Sequence, residues 1–332
     1  MQKWLQETIG QKERRAIPIM THPGIELCGK TVKDAVINGR VHADAICQLN
    51  ELYPAAAPTV IMDLTVEAEA FGAKVIFPED EVPSVTEPLV SDKDSIDNLQ
   101  VSSLDAGRVP EYLLANRLTA DRIKDKPVFA GCIGPFTLAG RLFGLSELMI
   151  ALYVEPENIS VLLDKCTRFL IDYCSAIKAT GVHGVIMAEP AAGLISNEDS
   201  MLYSTRYVRQ VVDVVQDENF MIILHNCGNT GHCTDAMVQS GAAGLHFGNK
   251  IAMQDALTNC PADRLVMGNL DPVGLFKQSS SEEVYVATMN LLQQTNSWKN
   301  FVLSTGCDVP PHVPLENIKA FYQALDDFNC SI

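Results

Sequence analysis

The chain has 332 residues, 47% of them hydrophobic and 20% charged, which excludes disorder as its main state and leaves ample length for a large core. Lys and Arg number 25 against 41 Asp and Glu; the net charge of −16 argues against a nucleic-acid or anionic-membrane surface. Ten cysteines would suggest bridges in a secreted protein, but the polar start from Met1 to Gly10 has no apolar leader core, so a cytoplasmic protein with reduced thiols is expected. No run approaches the ~18 apolar residues of a spanning helix.

In chain order, residues 1–16 predict a helical extension and 16–20 the first near-continuous apolar run, a strand. Residues 31–52 place Val32, Ala35, Val36, Ala43, Ile46, Cys47 and Leu49 at roughly a 3.6 period, which predicts a helix. The second strand is 58–62. The stretch 77–125 reads as an insertion, with a hairpin around 83–88 and a capped helix at Ser91. Strands at 127–132, 184–188, 220–224, 244–247, 264–267 and 301–303 follow. A long helix at 156–179 lies among them. Another opens at Ser281, and a last one at Pro314 with Glu316. Apolar strands without alternation are those of a parallel sheet covered on both faces. Eight such units predict an α/β fold, a (β/α)8 TIM barrel forming one domain over 1–332.

In such a barrel the chemistry sits at the C-terminal ends of the strands. Those positions here are His22, Asp63, Gly134–Pro135, Glu189, His225 with Cys227, His246 with Asn249, Asn269 with Asp271, and Cys307 with Asp308. His225 and Cys227, two apart at a strand end, can converge if the chain turns at Gly228. Cys307 ends the eighth strand after Gly306. One imidazole and two thiolates suit Zn²⁺, with about 2.0–2.1 Å to nitrogen and 2.3 Å to sulfur, and three protein ligands leave a fourth position open. His232 and Cys233 are nearby rivals, with Cys233 a live alternative to Cys307. Cys47, Cys166 and Cys174 fall on apolar helix faces, and Cys28, Cys132, Cys260 and Cys330 also read as core.

These residues carry a resemblance. Met62-Asp63-Leu64-Thr65-Val66-Glu67-Ala68-Glu69-Ala70-Phe71-Gly72, Gly134-Pro135-Phe136-Thr137-Leu138-Ala139-Gly140, His225-Asn226-Cys227-Gly228-Asn229-Thr230, Gly268-Asn269-Leu270-Asp271-Pro272 and Ser304-Thr305-Gly306-Cys307 span nearly the whole chain. Together they resemble the uroporphyrinogen decarboxylase superfamily, in particular its corrinoid-dependent, zinc-containing methyltransferase branch. The second and fourth segments are shared with the decarboxylases; the first and third resemble the methyltransferases. The resemblance implies a TIM barrel and zinc held by His225, Cys227 and Cys307. It further implies a methyl group moved from a corrinoid on a partner protein to a thiol or similar small acceptor such as coenzyme M. No cobalamin-binding D-x-H-x-x-G motif lies within the chain, so methylcobalamin would arrive on that partner. Neither a nucleic acid nor a membrane is expected as partner, and a homo-oligomer is left open.

The departures separate the branches. Decarboxylases carry M-R-Q-A-G-R-Y after the first strand, with two arginines for substrate carboxylates; this chain reads Met20-Thr21-His22-Pro23-Gly24-Ile25-Glu26. An unpaired buried carboxylate costs several kcal/mol, so the loss weighs against a porphyrinogen decarboxylase. The decarboxylase D-S-W-A-G segment is Glu189-Pro190-Ala191-Ala192-Gly193 here, and the late decarboxylase histidine is replaced around Cys307, whereas Asp63 matches their central aspartate. Two anionic sulfurs leave bound zinc with low net charge, which favours thiol alkylation over water activation by a zinc hydrolase. A non-catalytic corrinoid- or metal-binding homologue is the other alternative. Glu189 is the candidate fourth ligand or acceptor-orienting group, with a solvated loop carboxylate as the plain alternative. Asp63 is a catalytic candidate or the cap of the helix beginning Leu64-Thr65-Val66. Asn269 and Asp271 would bind polar substrate atoms or shape the turn before Pro272, and His22 and His246 would face substrate or back up the ligands, with a packed, hydrogen-bonded histidine as the favoured plain alternative for each. Arg141 and Lys250 are candidates for an acceptor sulfonate.

Overall fold

The computed structural model describes all 332 residues. A short antiparallel hairpin, β1 (Val75–Ile76) with β2 (Ser84–Val85), precedes six parallel strands: β3 (Phe129–Ile133), β4 (Gly184–Ala188), β5 (Met221–Asn226), β6 (Gly244–Phe247), β7 (Leu265–Leu270) and β8 (Phe301–Thr305). The six are hydrogen-bonded in sequence order, with helices between them. Every residue of β3, β4, β5, β6 and β8 is buried, as expected when helices cover one face and the opposite wall the other.

The first two apolar runs complete the barrel without forming regular strands. Ala16 bridges in parallel to Leu303 of β8, and Thr59 bridges in parallel to Phe129 of β3. Pro18 and Pro58 explain the irregularity, because a proline has no N–H for a ladder. Threonine hydroxyls take over some of the lost pairing: Ile19 N–H donates to Thr305 Oγ1 at 3.1 Å, and Met20 N–H to Thr59 Oγ1 at 3.3 Å. Inward-facing Ile17, Ile19, Phe129, Ile186, Ile223 and Met267 fill the barrel as a packed core, not a pore. The helix Gln2–Gly10 lies under its N-terminal end, where Trp4 meets Phe129 edge-on at 5.9 Å between ring centroids.

Several boundaries differ from the sequence reading for local reasons. The helix expected over 31–52 is two, Val32–Ile37 and Gly39–Leu52. Asn38 breaks it, and its side chain accepts from the N–H groups of Arg40 and Val41 as an N-cap. A Cβ at Gly39 would sit 2.2 Å from the Glu111 carbonyl oxygen, so the glycine also permits close packing on the helix Val109–Arg122. The hairpin spans 75–85 rather than 83–88, and the helix near Ser91 is capped by Asp92. The long helix is Pro156–Ala179 as read, and Ser280 with Glu283 forms the capping box of Ser281–Gln294. Cys330 is exposed, and Cys28, Cys47 and Cys260 are half-buried, so the core reading holds only for Cys132, Cys166 and Cys174. No single helix is long and apolar enough to cross a bilayer.

Candidate metal centre

Strand β5 runs two residues further than the sequence suggests and carries His225 and Asn226 on its last positions. The Asn226 side-chain oxygen then accepts from the N–H groups of Gly228, 2.9 Å, and Asn229, 3.0 Å, which folds the chain back at Cys227. Two glycines let neighbouring loops close on this turn. A Cβ at Gly248, after β6, would lie 2.6 Å from Cys227 Cα. A Cβ at Gly306, after β8, would lie 2.7 Å from the Asn249 nitrogen. Cys307 is thereby brought to Cys227 across the strand ends.

The result is one cluster: a ring nitrogen of His225 and the sulfurs of Cys227 and Cys307 all lie within 4.8 Å of one another. Cys307 donates its S–H toward Cys227, and this, with the His225 ring beside it, pulls the Cys227 thiol well below its ordinary range. His225 is 1% exposed. Its Nδ1 lies 2.8 Å from Nδ1 of His246, whereas its Nε2 is buried with no hydrogen-bond partner. A buried imidazole with an unpartnered nitrogen, clustered with two cysteine sulfurs, offers a donor set of one nitrogen and two sulfurs that fits zinc.

The rival ligands face elsewhere. Cys233 is buried with its S–H toward the carbonyls of Ala192 and Ile195, and His232 Nε2 lies 3.1 Å from the Ile195 carbonyl. The other rim residues fall into two groups. His22 is buried, donates from Nδ1 to the Val309 carbonyl at 2.8 Å, and leaves Nε2 without a partner. Asp308 likewise has a buried oxygen without a partner, whereas Glu189, Asp63, Asn269 and Asp271 are engaged by the protein. Glu189 is 1% exposed, and its carboxylate accepts from the N–H groups of Phe136 and Thr137, both 2.8 Å, and from the Ser204 hydroxyl at 3.0 Å. It therefore caps the helix Pro135–Phe143, a favourable place for negative charge, although burial pushes its pKa up. A Cβ at Gly134 would fall 2.5 Å from this carboxylate.

Asp63 is equally enclosed. It accepts from Arg108, from the Tyr112 hydroxyl at 3.0 Å, and from Thr65 through both hydroxyl and N–H. Arg108 also binds Glu69 at 2.6 Å and lies 4.7 Å over the Phe77 ring. The Asn269 amide donates to the carbonyls of Gly248 and Ile251, and Asp271 accepts from Val273 and Gly274 N–H, both 2.9 Å. These two shape the loops around the cluster. Arg108, Tyr112 and Ser204 were missed in the sequence, and Ser304 was named only within the segment that ends at Cys307, with no role. The first three carry no periodicity or motif signal, and each is chosen by a partner that only the fold brings near.

Two cavities open at this end of the barrel. One, about 440 Å³, is lined by Cys227 and Gly228 on its floor, with Arg141 and Lys250 on its wall. Neither cation has an ion-pair partner in the protein. The other, about 620 Å³, is lined by His22, Asp63 and Asp308, and it shares Arg141 with the first. The hairpin region walls both: 80–83 on the second cavity and Val85–Pro88 on the first.

An α/β barrel with a His–Cys–Cys centre at the C-terminal ends of its strands is thus the class of protein that fold and site define. The family model "Uroporphyrinogen decarboxylase (URO-D)" matches residues 14–328, and the chain belongs to that family. The chain is 28% identical over 276 residues to a methylcobamide:CoM methyltransferase, MtbA, of Methanosarcina acetivorans, covering 82% of this chain and 80% of the relative. It is 25% identical over 311 residues to a methylated-thiol–coenzyme M methyltransferase of Methanosarcina mazei, covering 90% and 80%. A solved methyltransferase from Methanosarcina mazei superposes with a TM-score of 0.89 at 22% identity, covering 98% of each chain, a likeness of fold.

Proposed function

We propose that this protein is a zinc-dependent methyltransferase that moves a methyl group from a methylated corrinoid, carried by a partner protein, to a small thiol of the coenzyme M kind. The observation that carries this reading is the cluster of His225, Cys227 and Cys307, with one buried ring nitrogen unpartnered and with Cys227 lining a cavity that also carries two unpaired cations. The relatives named for methyl transfer to coenzyme M support it. So does the absence of arginines after the first strand, where the decarboxylases need them for a polycarboxylate.

His225, Cys227 and Cys307 would hold the metal. When bound, Zn²⁺ keeps an acceptor thiol in its thiolate form at neutral pH, where a free thiol of pKa about 8.5 is mostly protonated. The chain's own residues do the rest. The turn at Asn226 and the glycines at 248 and 306 fix the two sulfurs before any substrate arrives, so no reorganisation is needed during transfer. Arg141 and Lys250 on the cavity wall attract and orient an anionic acceptor. In the transfer the carbon–cobalt bond breaks and a sulfur–carbon bond forms; cobalt keeps the electron pair and leaves as cobalt(I), while the thiol proton passes to solvent.

A stoichiometric zinc analysis of freshly purified protein, followed by loss of methylcobalamin absorbance with a panel of thiols, tests the reading. Methylation of an anionic thiol is the expected result. Zinc-free protein, or conversion of uroporphyrinogen to coproporphyrinogen, would overturn it.

A further inference from the structure

The structure assigns His246 and Ser304 as positioning residues that hold His225 in one tautomer, with its proton on Nδ1 and the lone pair of Nε2 facing Cys227 and Cys307. The inference rests on the zinc reading for its purpose, but its geometry stands alone.

The assignment starts from an atom whose role is unambiguous. The Ile17 carbonyl oxygen can only accept. Ser304 Oγ lies 2.7 Å from it and gives it its single proton. Toward any other neighbour Ser304 must then accept. That neighbour is His246 Nε2, 2.9 Å away, which therefore carries a hydrogen. His246 is 0% exposed, and its side-chain partners are only Ser304 and His225, with no carboxylate to balance a charge. A neutral ring protonated on Nε2 has its lone pair on Nδ1. His225 Nδ1, 2.8 Å from that lone pair, must donate to it. One ring proton is thereby used, and Nε2 of His225 is left as a bare acceptor. This is the buried nitrogen that has no partner in the protein.

The opposite tautomer is disfavoured twice over. It would set two Nδ1 lone pairs against each other at 2.8 Å, and it would put a buried N–H where a metal ligand has to present its lone pair. The fold supplies the relay cheaply. His225 and His246 are register partners on β5 and β6, while Ser304 sits on β8 and Ile17 on the first run, so the chain of bonds crosses the barrel interior. A metal-ligating histidine whose other nitrogen is held this way keeps both tautomer and ring orientation, and losing such a partner typically costs about 10–100-fold in metal affinity.

The direct test is nitrogen-15 NMR of the metal-free, full-length protein with labelled histidine, the His225 signals being those absent from a His225→Gln variant. We expect a protonated, pyrrole-type Nδ1 and a pyridine-type Nε2, and coupling of Nε2, not Nδ1, to cadmium-113 loaded in place of zinc. A proton on Nε2, or coupling through Nδ1, overturns the assignment. Zinc affinity by chelator competition is the second arm. His246→Leu and Ser304→Ala are expected to weaken binding by about 10–100-fold. His246→Asn, which puts an amide oxygen where Nδ1 stood, is expected to restore most of it. Wild-type affinity in both His246→Leu and Ser304→Ala overturns the assignment. Should the wild-type chain take up no metal, the zinc reading fails, while the tautomer is still read independently from the metal-free spectrum.

Discussion

The rim of the barrel has two sides that look alike in composition and differ in what their polar atoms do. On one side Asp63, Arg108, Glu69, Thr65 and Tyr112 form a closed network, and Glu189 is fully engaged by a helix N-terminus and Ser204. On the other side His225, Cys227 and Cys307 converge, with a ring nitrogen left over. A saturated buried network specifies structure, because each member already has the partners that offset its desolvation. An incomplete one that the fold nevertheless encloses is prepared for a ligand. Polarity at a strand end therefore says less about function than whether the side chain is already satisfied.

Substitutions on the two sides should separate these roles. The largest effect belongs to the open side: Cys227→Ser or Cys307→Ser should abolish zinc binding and lower methyl transfer by about 10³-fold or more, ~4 kcal/mol of barrier, with little change in melting. Metal analysis and the methylcobalamin assay would show it; retained zinc in both variants would break the distinction. On the closed side Arg108→Leu strands Asp63 as an uncompensated buried charge. A loss of about 3–5 kcal/mol in denaturant unfolding is expected, with zinc still bound by the folded fraction.

Glu67 sharpens the comparison through pH. It is 1% exposed, accepts from Ile133 N–H at 3.0 Å, has an unpartnered second oxygen, and burial pushes its pKa up to about 7. Its folded-state value lies above that of the unfolded chain, so the folded state binds the extra proton. Below about pH 4.5 the group contributes no penalty, and stability then falls as pH rises toward 7. Glu67→Gln should remove that slope, worth up to about 3 kcal/mol, in unfolding measured between pH 5 and pH 8. An identical slope in both proteins would show that Glu67 does not titrate there. The smallest effect is expected at the cavity wall. Arg141→Ala and Lys250→Ala should each raise KM for an anionic thiol by roughly 10-fold, ~1.4 kcal/mol, leaving zinc content unchanged and a neutral thiol unaffected.

Much of this molecule was legible before any coordinates. The near-continuous apolar runs marked the strands of a parallel barrel, since strands covered on both faces need not alternate. The rule that chemistry gathers at strand C-termini put His225, Cys227 and Cys307 among the rim residues, ligand chemistry and the resemblance chose them from that list with Cys233 as the alternative, and the fold brings the three together. The runs holding Pro18 and Pro58, read as full strands, reach the barrel only through single bridges.

What tertiary structure alone decided is which polar side chains are spoken for. Glu189 and Asp63 stand at strand ends just as His225 does, and nothing local distinguishes them. Their partners come from elsewhere: Phe136 and Thr137 from a helix N-terminus and Ser204 from the segment after β4 for Glu189, Arg108 and Tyr112 from the stretch between the second run and β3 for Asp63. Strand identity depends on periodicity over a few neighbouring residues, so the chain itself carries it. Hydrogen-bond satisfaction depends on atoms within about 3 Å in space, and helix packing and sheet register bring those together from distant positions.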